Sequence, residues 1–337
     1  SAEVEHWPPA LSPAEVEIAF RHAMFELNGL PPWLPRLFET FPNQVTDLAL
    51  AEIRFELDHG SAETDYPYLL HDINWSGQWA WDALAPGLAE IIQAKVPTNP
   101  RALRRVLNIL LGSSLSDAAI ANIARQRAQT GVDERSAIWF AVWVTVSPDA
   151  AISALAERLA KIARKKDRTQ FAMTFLVHLV GGRRTEGFCR REGFRTAEHL
   201  KALYLIAHTH VAEGDDIHRA GKGVYSPILR DDAQDARDQL FRWLKEIPGK
   251  PAFLAMRDIA DQHPTIASRK WYEIHARTKA ETDAVGEPWT PDQVRDFNAT
   301  LERVPATHRE LYDLTVLRLL DLKADLERGF AAFNAAK

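Results

Sequence analysis

The sequence has a single cysteine and no excess of positive charge. Each of these features argues against certain classes of protein. Cys189 is the one cysteine among 337 residues, so neither an intrachain disulfide nor a cysteine-rich zinc module can form. Such a composition is typical of a reducing compartment, and we expect a cytoplasmic protein. The net charge of -5 gives no overall basic surplus for nucleic acid or an anionic membrane.

Long apolar runs and familiar catalytic motifs are missing as well. No run approaches the roughly 18 apolar residues of a membrane helix, and the N-terminus lacks the basic head and apolar core of a signal peptide. The sequence contains neither H-E-x-x-H nor G-x-S-x-G, and no pair of carboxylates is spaced for acid–base work. We therefore predict no catalytic residue, no resident metal ion and no cofactor, and we expect the chain not to be an enzyme.

What the sequence does contain is a series of helix-start signals. Ser12, Pro13 and Glu15 form a capping box with proline at the first helical position, which satisfies backbone N–H groups that a helix start leaves unpaired. Similar caps or boxes recur at Asn99, Ser147, Thr290 and Thr307. Apolar residues at spacings of three and four, the stripe of an amphipathic helix, follow in three places: Ile152, Leu155, Leu159 and Ile162; Ala233, Ala236, Leu240, Trp243 and Ile247; Val294, Phe297, Leu301 and Val304.

Strand signals are nearly absent, so the predicted fold class is all-α, with some fifteen helices. The one β-like run, AIWFAVWVTV at 137–146, is favoured as a buried helix because a helix cap follows it at Ser147. Many short helices favour an α-solenoid of HEAT-like helical hairpins, of which 235–264 is the clearest, with a compact multi-helix bundle as the alternative. The predicted domains are N-terminal repeats over 1–212, a long loop or boundary over 213–229, and C-terminal repeats over 230–337. A second candidate boundary is DAVGEPW at 283–289.

The stretch AHTHVAEGDDIHRAGKGVYS, residues 207–226, raises the question of a metal or phosphate site. It departs from a phosphate-binding loop because Lys222 is followed by Gly223, where that motif needs serine or threonine. His208 and His210 point about 200° apart on a helix, so they cannot share one ion there. We predict a polar, mobile loop whose ligand-binding candidates are His208, His210, His218 and Lys222. A metal-dependent hydrolase built on 208–218 is a third functional hypothesis.

The segment GGRRTEGFCRREGFR, residues 181–195, carries a second group of candidates. Its arginines are Arg183, Arg184, Arg190, Arg191 and Arg195, and Phe188 and Phe194 lie between them. Guanidinium groups bind phosphate and aromatic rings stack on bases, so this segment is a candidate patch for anions or single-stranded nucleic acid. Glu186 and Glu192 lie within the segment and the whole chain is acidic, so we favour a solvated turn with local ion pairs over this patch.

Tryptophan is abundant, with ten residues, and is either core or interface. Trp75, Trp79 and Trp81 fall together, as do Trp139 and Trp143, and we predict the core for them. Trp75 and Trp79 are spaced to share one helix face.

Three C-terminal segments resemble a known class of proteins: RDDAQDARDQLFRWLKEIPG, EPWTPDQVRDF and PATHRELYDLTVLRLLDLKADLERG. Over residues 228–329 they resemble the helical region of large bacterial NACHT-type proteins, members of the STAND class of signalling NTPases, several of which act in phage defence. The resemblance implies a helical sensor or scaffold region without its NTPase, as a segment of a larger protein. The expected function is therefore a non-enzymatic scaffold that binds a protein or other macromolecule. The alternative is a nucleic-acid-binding HEAT-like protein, as in DNA repair.

Overall fold

The computed structural model describes residues 7–26, 28–60, 66–183, 185–188, 190–219, 223–263 and 266–283, together with residues 292, 295 and 299. In the described ranges up to residue 283 the chain forms fourteen α-helices, and the all-α prediction is confirmed. They are α1 Pro13–Ala23, α2 Leu34–Thr40, α3 Pro42–His59, α4 Tyr68–Ser76, α5 Trp81–Ala94, α6 Pro100–Gly112, α7 Asp117–Ala128, α8 Glu134–Val146, α9 Pro148–Lys161, α10 Lys165–Val180, α11 Ala197–His210, α12 Leu229–Glu246, α13 Lys250–Gln262 and α14 Ile266–Thr282.

The helix starts follow the capping signals of the sequence. Ser12 and Glu15 form the predicted capping box at α1, and the Asn99 side chain accepts hydrogen bonds from two backbone N–H groups at α6. Ser147 lies at the N-cap of α9, but its side chain makes no cap hydrogen bond there. The caps predicted at Thr290 and Thr307, and the stripe from Val294 to Val304, lie outside the described residues.

Helix α8 occupies the centre of the apolar core. The run that we predicted as a buried helix is helical, and Trp139 and Trp143 are both buried in it. Helix α8 packs against α6, α7, α9 and α10, so it is covered on several sides. This explains why the segment lacks amphipathic periodicity, since a helix surrounded by neighbours has no face that must be polar.

Helices pack almost entirely on their neighbours in the sequence. Among the described helices, every pair in extensive contact is one or two helices apart along the chain. Contacts between helices two positions apart recur along the chain, for example between α1 and α3, between α6 and α8, and between α11 and α13. The two helices predicted at 235–264 are present as α12 and α13, which end and begin around Pro248 and Gly249. They hardly contact each other, because α12 packs mainly on α10 and α11 and α13 packs mainly on α14 and α11.

The chain divides into two compact units, Ser1–Val285 and Gly286–Lys337, and this division falls within the second predicted boundary. No helix in the described part of the chain is both long and apolar enough to cross a lipid bilayer.

The tryptophans of 75–81 differ from the prediction. Trp81 is buried, but Trp75 is 74% exposed, and Trp79 lies in a separate 3-10 turn, Gln78–Ala80. Helix α4 ends at Ser76, and a Cβ on Gly77 would lie 2.7 Å from the Ile73 Cα, so the chain turns where a side chain has no room. Trp75 and Trp79 therefore do not share a helix.

Candidate functional site

The loop between α11 and α12, residues 211–228, is attached to α12 by ion pairs. The carboxylate of Asp216 accepts a hydrogen bond of 2.6 Å from Arg237 and one of 2.8 Å from Arg230. Burial alone would raise the pKa of Asp216, but these two guanidinium groups hold it below its ordinary value. Arg219 donates two hydrogen bonds of 2.9 Å to the buried Asp231. In the described part of this loop, Asp216 and Arg219 therefore pair with charged side chains of α12.

Two histidines and a glutamate converge where this loop leaves α11. We call His208, Glu213 and His263 the histidine cluster. The His208 Nε2 lies 3.7 Å from one carboxylate oxygen of Glu213, and the His263 Nε2 lies 3.9 Å from the other. One potential ligand atom from each of the three side chains lies within 4.8 Å of the other two. Among the described residues, this is the one group of three His, Cys, Asp or Glu side chains that lie close enough together to share a metal ion.

Two buried tyrosines surround the cluster. The Tyr204 hydroxyl is hydrogen-bonded to the His208 Nε2 at 2.5 Å and also to the hydroxyl of Tyr272. Burial lowers the pKa of His208 to about 3, with Arg237 and His263 adding to the effect, so its imidazole is neutral at pH 7. Burial raises the pKa of Tyr272 to about 12, so its hydroxyl is protonated.

The cluster borders a cavity of about 550 Å³. We call this the loop cavity. Its lining residues come from α11, the loop, α12 and α14: Tyr204, Glu213, Asp216, His218, Arg237, Asp238, Phe241, Arg242, Lys245, Ser268, Trp271 and Tyr272. The other predicted residues of this stretch do not join the cluster. His210 is half-buried, His218 is exposed at the cavity wall, and Lys222 lies outside the described residues.

The described arginines of 181–195 contact the chain's own groups. Arg183 binds Asp235 at 2.9 Å, and the guanidinium of Arg190 lies 4.4 Å from the ring centroid of Trp81. Arg195 binds Glu192 at 2.8 Å. Its guanidinium also lies 4.0 Å from the ring centroid of Trp243. Arg184 lies outside the described residues. The local ion pair predicted at Glu192 is present.

Arg191 is the most extensively bound of them. It donates hydrogen bonds to the backbone carbonyls of Leu111 at 2.9 Å, Ser113 at 2.8 Å and Leu115 at 2.6 Å, and it pairs with Asp117. The three carbonyls belong to the end of α6 and to the loop that connects α6 to α7. The last carbonyls of a helix have no hydrogen-bond partner within the helix. Arg191 therefore holds one loop against another.

We predict that Arg191→Ala lowers the free energy of unfolding by about 2 kcal/mol, because three carbonyls lose a charged donor. Urea unfolding followed by circular dichroism measures this. Arg164→Ala, at a side chain that is 84% exposed, is the matched control and should change little. Equal stability of the two variants would show that Arg191 is not structural.

The phenylalanines between these arginines are in the core. Phe188 and Phe194 are each 1% exposed. Stacking of these two rings on nucleic-acid bases, which the patch interpretation offered, does not fit this structure, because a buried ring cannot reach a base. The Phe188 N–H donates to the carbonyl of His178 at 3.0 Å, which turns the segment back onto the end of α10.

A second cavity, of about 750 Å³, lies between the end of α1, α3 and α4. We call it the aromatic cavity because Phe25, Tyr66, Tyr68 and Trp75 line it. Phe25 is 79% exposed and Tyr68 is 72% exposed. Exposed aromatic rings gathered at one concave surface are typical of an interaction site.

The aromatic cavity is also acidic. Its lining includes the carboxylates Glu26, Glu52, Glu56 and Asp72, and no lysine or arginine is among the described lining residues. Its one histidine, His71, has a pKa lowered by burial and by Arg105, and so is uncharged at pH 7. The cavity therefore combines negative charge with aromatic surface.

No protein-family model, curated protein or solved structure matches the chain. The function therefore has to be argued from these cavities and their side chains.

Sequence reasoning missed His263, Glu213 and the aromatic cavity. Glu213 lies within the stretch 207–226, but its sequence spacing from His208 does not show that the two side chains meet. His263 is 55 residues from His208 in the sequence, and α11 meets α13 only in the folded chain. The one local feature that could have indicated His263 as a site residue is its position directly after a helix and just before Pro264.

Proposed function

We propose that the chain is a non-enzymatic helical-repeat scaffold that binds a protein segment carrying lysine or arginine in its aromatic cavity. The observation that carries the proposal is the coincidence of exposed Trp75, Tyr68 and Phe25 with the carboxylates of Glu26, Glu52 and Asp72 around one cavity. The fourth carboxylate, Glu56, accepts hydrogen bonds from the backbone N–H groups of Leu69 and Leu70. A cationic side chain binds favourably both to carboxylates, through charge-assisted hydrogen bonds, and to the faces of aromatic rings.

An intramolecular contact at the edge of this cavity illustrates that chemistry. The guanidinium of Arg105 lies 4.4 Å from the centroid of the Tyr66 ring. Tyr68 and Trp75 are exposed, so their rings remain available to a cation from another chain. Tryptophan and tyrosine are the residues most enriched among those that dominate binding energy.

The packing pattern supports the helical-repeat part of the proposal. In a solenoid each repeat contacts only its neighbours, and the described helices pack on partners one or two positions away. Together with the resemblance over 228–329, this favours the sensor or scaffold region of a bacterial defence-type signalling ATPase. In that setting a bound protein segment would bias the curvature of the helical array.

Selection of random peptides displayed on phage, on the untagged chain, tests the proposal. We expect enrichment of peptides in which lysine or arginine neighbours an apolar residue, and we expect poor recovery on a Trp75→Ala chain. Circular dichroism checks that this variant keeps its helices. Recovery of acidic peptides, or equal recovery on both chains, would contradict the proposal.

A parallel arm addresses nucleic acid. A labelled single-stranded DNA of mixed sequence should not bind measurably, because the described arginines of 181–195 contact the chain itself. Binding that weakens steeply with salt would instead favour the nucleic-acid alternative.

A further inference from the structure

We infer that His208, Glu213 and His263 bind one zinc ion at the edge of the loop cavity. The inference rests on three side chains brought together from three places in the fold. His208 is in the last turn of α11, Glu213 begins a 3-10 turn and His263 follows α13. It is independent of the aromatic cavity and of the proposed scaffold function.

The distances suit a shared ion better than a hydrogen bond. Around a tetrahedral zinc with bonds of about 2.0–2.1 Å, neighbouring ligand atoms are about 3.3 Å apart. The separations of 3.7 and 3.9 Å from the Glu213 oxygens to the two Nε2 atoms lie close to this value. Both exceed the usual range of an N–H···O hydrogen bond. Because the three ligand atoms lie within 4.8 Å of one another, they have to move closer together to share one zinc ion.

The ligand types select the metal. Two imidazole nitrogens and one carboxylate match zinc and its transition-metal neighbours, whereas calcium and magnesium need mostly oxygen ligands. Two histidines and a glutamate also form the protein ligand set of several zinc sites that keep a fourth position open. Here Glu213, Tyr204 and Tyr272 line the loop cavity, so a molecule in that cavity would lie next to the cluster.

Groups around the cluster are arranged to hold the ligands. The hydroxyl of Ser268 lies 3.3 Å from a carboxylate oxygen of Glu213 and donates to it. The rings of His208 and His263 pack edge to face, with centroids 4.7 Å apart. Such outer contacts fix ligand orientation. Zinc bound at the Nε2 of His208 would replace the hydrogen bond between this nitrogen and the Tyr204 hydroxyl.

Zinc content of the untagged chain tests the inference. After removal of metal by a chelator, addition of zinc and desalting, mass spectrometry should find about one zinc per chain in the wild type. Glu213→Gln and His263→Ala should each weaken zinc binding at least about tenfold, since loss of a ligand costs at least as much as loss of an outer contact. His218→Ala, which removes a histidine of the same cavity outside the cluster, should retain full zinc.

Thermal unfolding and cobalt substitution give independent readouts. Zinc should raise the melting temperature of the wild type and of His218→Ala, but not that of Glu213→Gln, whereas magnesium should have no effect. Cobalt should give the visible spectrum of a four-coordinate nitrogen–oxygen site. The inference fails if the wild type retains no zinc, or if Glu213→Gln binds zinc as well as the wild type does. If His263→Ala loses the circular-dichroism signal of folded helices, the result for Glu213→Gln, whose side chain is exposed, tests the inference by itself.

Discussion

Replacement of Asp216 by alanine should lower the free energy of unfolding by about 3 kcal/mol, because Arg230 loses its carboxylate and Arg237 keeps only Asp238, at 3.5 Å. The side chain of Arg237 is 3% exposed and that of Arg230 is 10% exposed, so bulk water replaces Asp216 poorly. Burial of an unpaired charge is among the costliest changes that a single substitution can make. Urea unfolding followed by circular dichroism measures the loss.

Asp215→Ala is the matched control for this prediction. Asp215 neighbours Asp216 in the sequence and is exposed, so its removal should change the free energy of unfolding by less than about 0.5 kcal/mol. A third variant, Asp216→Asn, keeps an acceptor but removes the charge, and it should fall between the two. If Asp216→Ala and Asp215→Ala prove equally stable, the loop is not anchored to α12 through these ion pairs.

Replacement of Gly187 by alanine should cost about 3 kcal/mol or more, because the added methyl group overlaps backbone atoms that cannot rotate away. A Cβ at this position would lie 2.4 Å from the carbonyl carbon of Val180 and 2.6 Å from the oxygen of Leu179. Relief of this overlap requires the turn that follows α10 to move. The turn carries the buried Phe188, so the core would be disturbed as well.

Gly214→Ala provides the comparison. An added Cβ at Gly214 meets no atom within 4 Å, so the substitution should be close to neutral. The two substitutions are chemically identical and differ only in the space around the glycine. A Gly187→Ala chain as stable as the Gly214→Ala chain in urea would contradict the close approach between this turn and α10.

Much of the fold was predictable because local signals and packing agree. The box at Ser12 and the cap at Asn99 each mark a helix start, and the stripe of Ile152, Leu155 and Leu159 is buried as expected. The end of α4 was not predictable from periodicity. Trp75 and Trp79 have the spacing of one helix face, but the close approach at Gly77 separates them.

The candidate sites were less predictable, because they depend on contacts between distant parts of the chain. The sequence reveals the positive charge of the arginines at 183–195. It does not reveal that Arg191 binds the carbonyls of Leu111 and Ser113, which are about 80 residues away along the chain. Likewise, a histidine at 263 gives no sign of Glu213 until α11 and α13 pack together. Exposure of an aromatic residue, as at Trp75, is also decided by neighbours that the local sequence does not show.

The affinity of a selected basic peptide for two tryptophan variants tests the central claim most directly. Trp75 is in the aromatic cavity, whereas Trp271, which is 48% exposed, lines the loop cavity. We expect Trp75→Ala to raise the dissociation constant about 30-fold, the effect of losing a dominant binding residue. Trp271→Ala should leave the constant within about twofold of the wild type, as expected for a residue outside the interface. Equal affinities of the two variants, or a larger loss at Trp271, would contradict binding in the aromatic cavity.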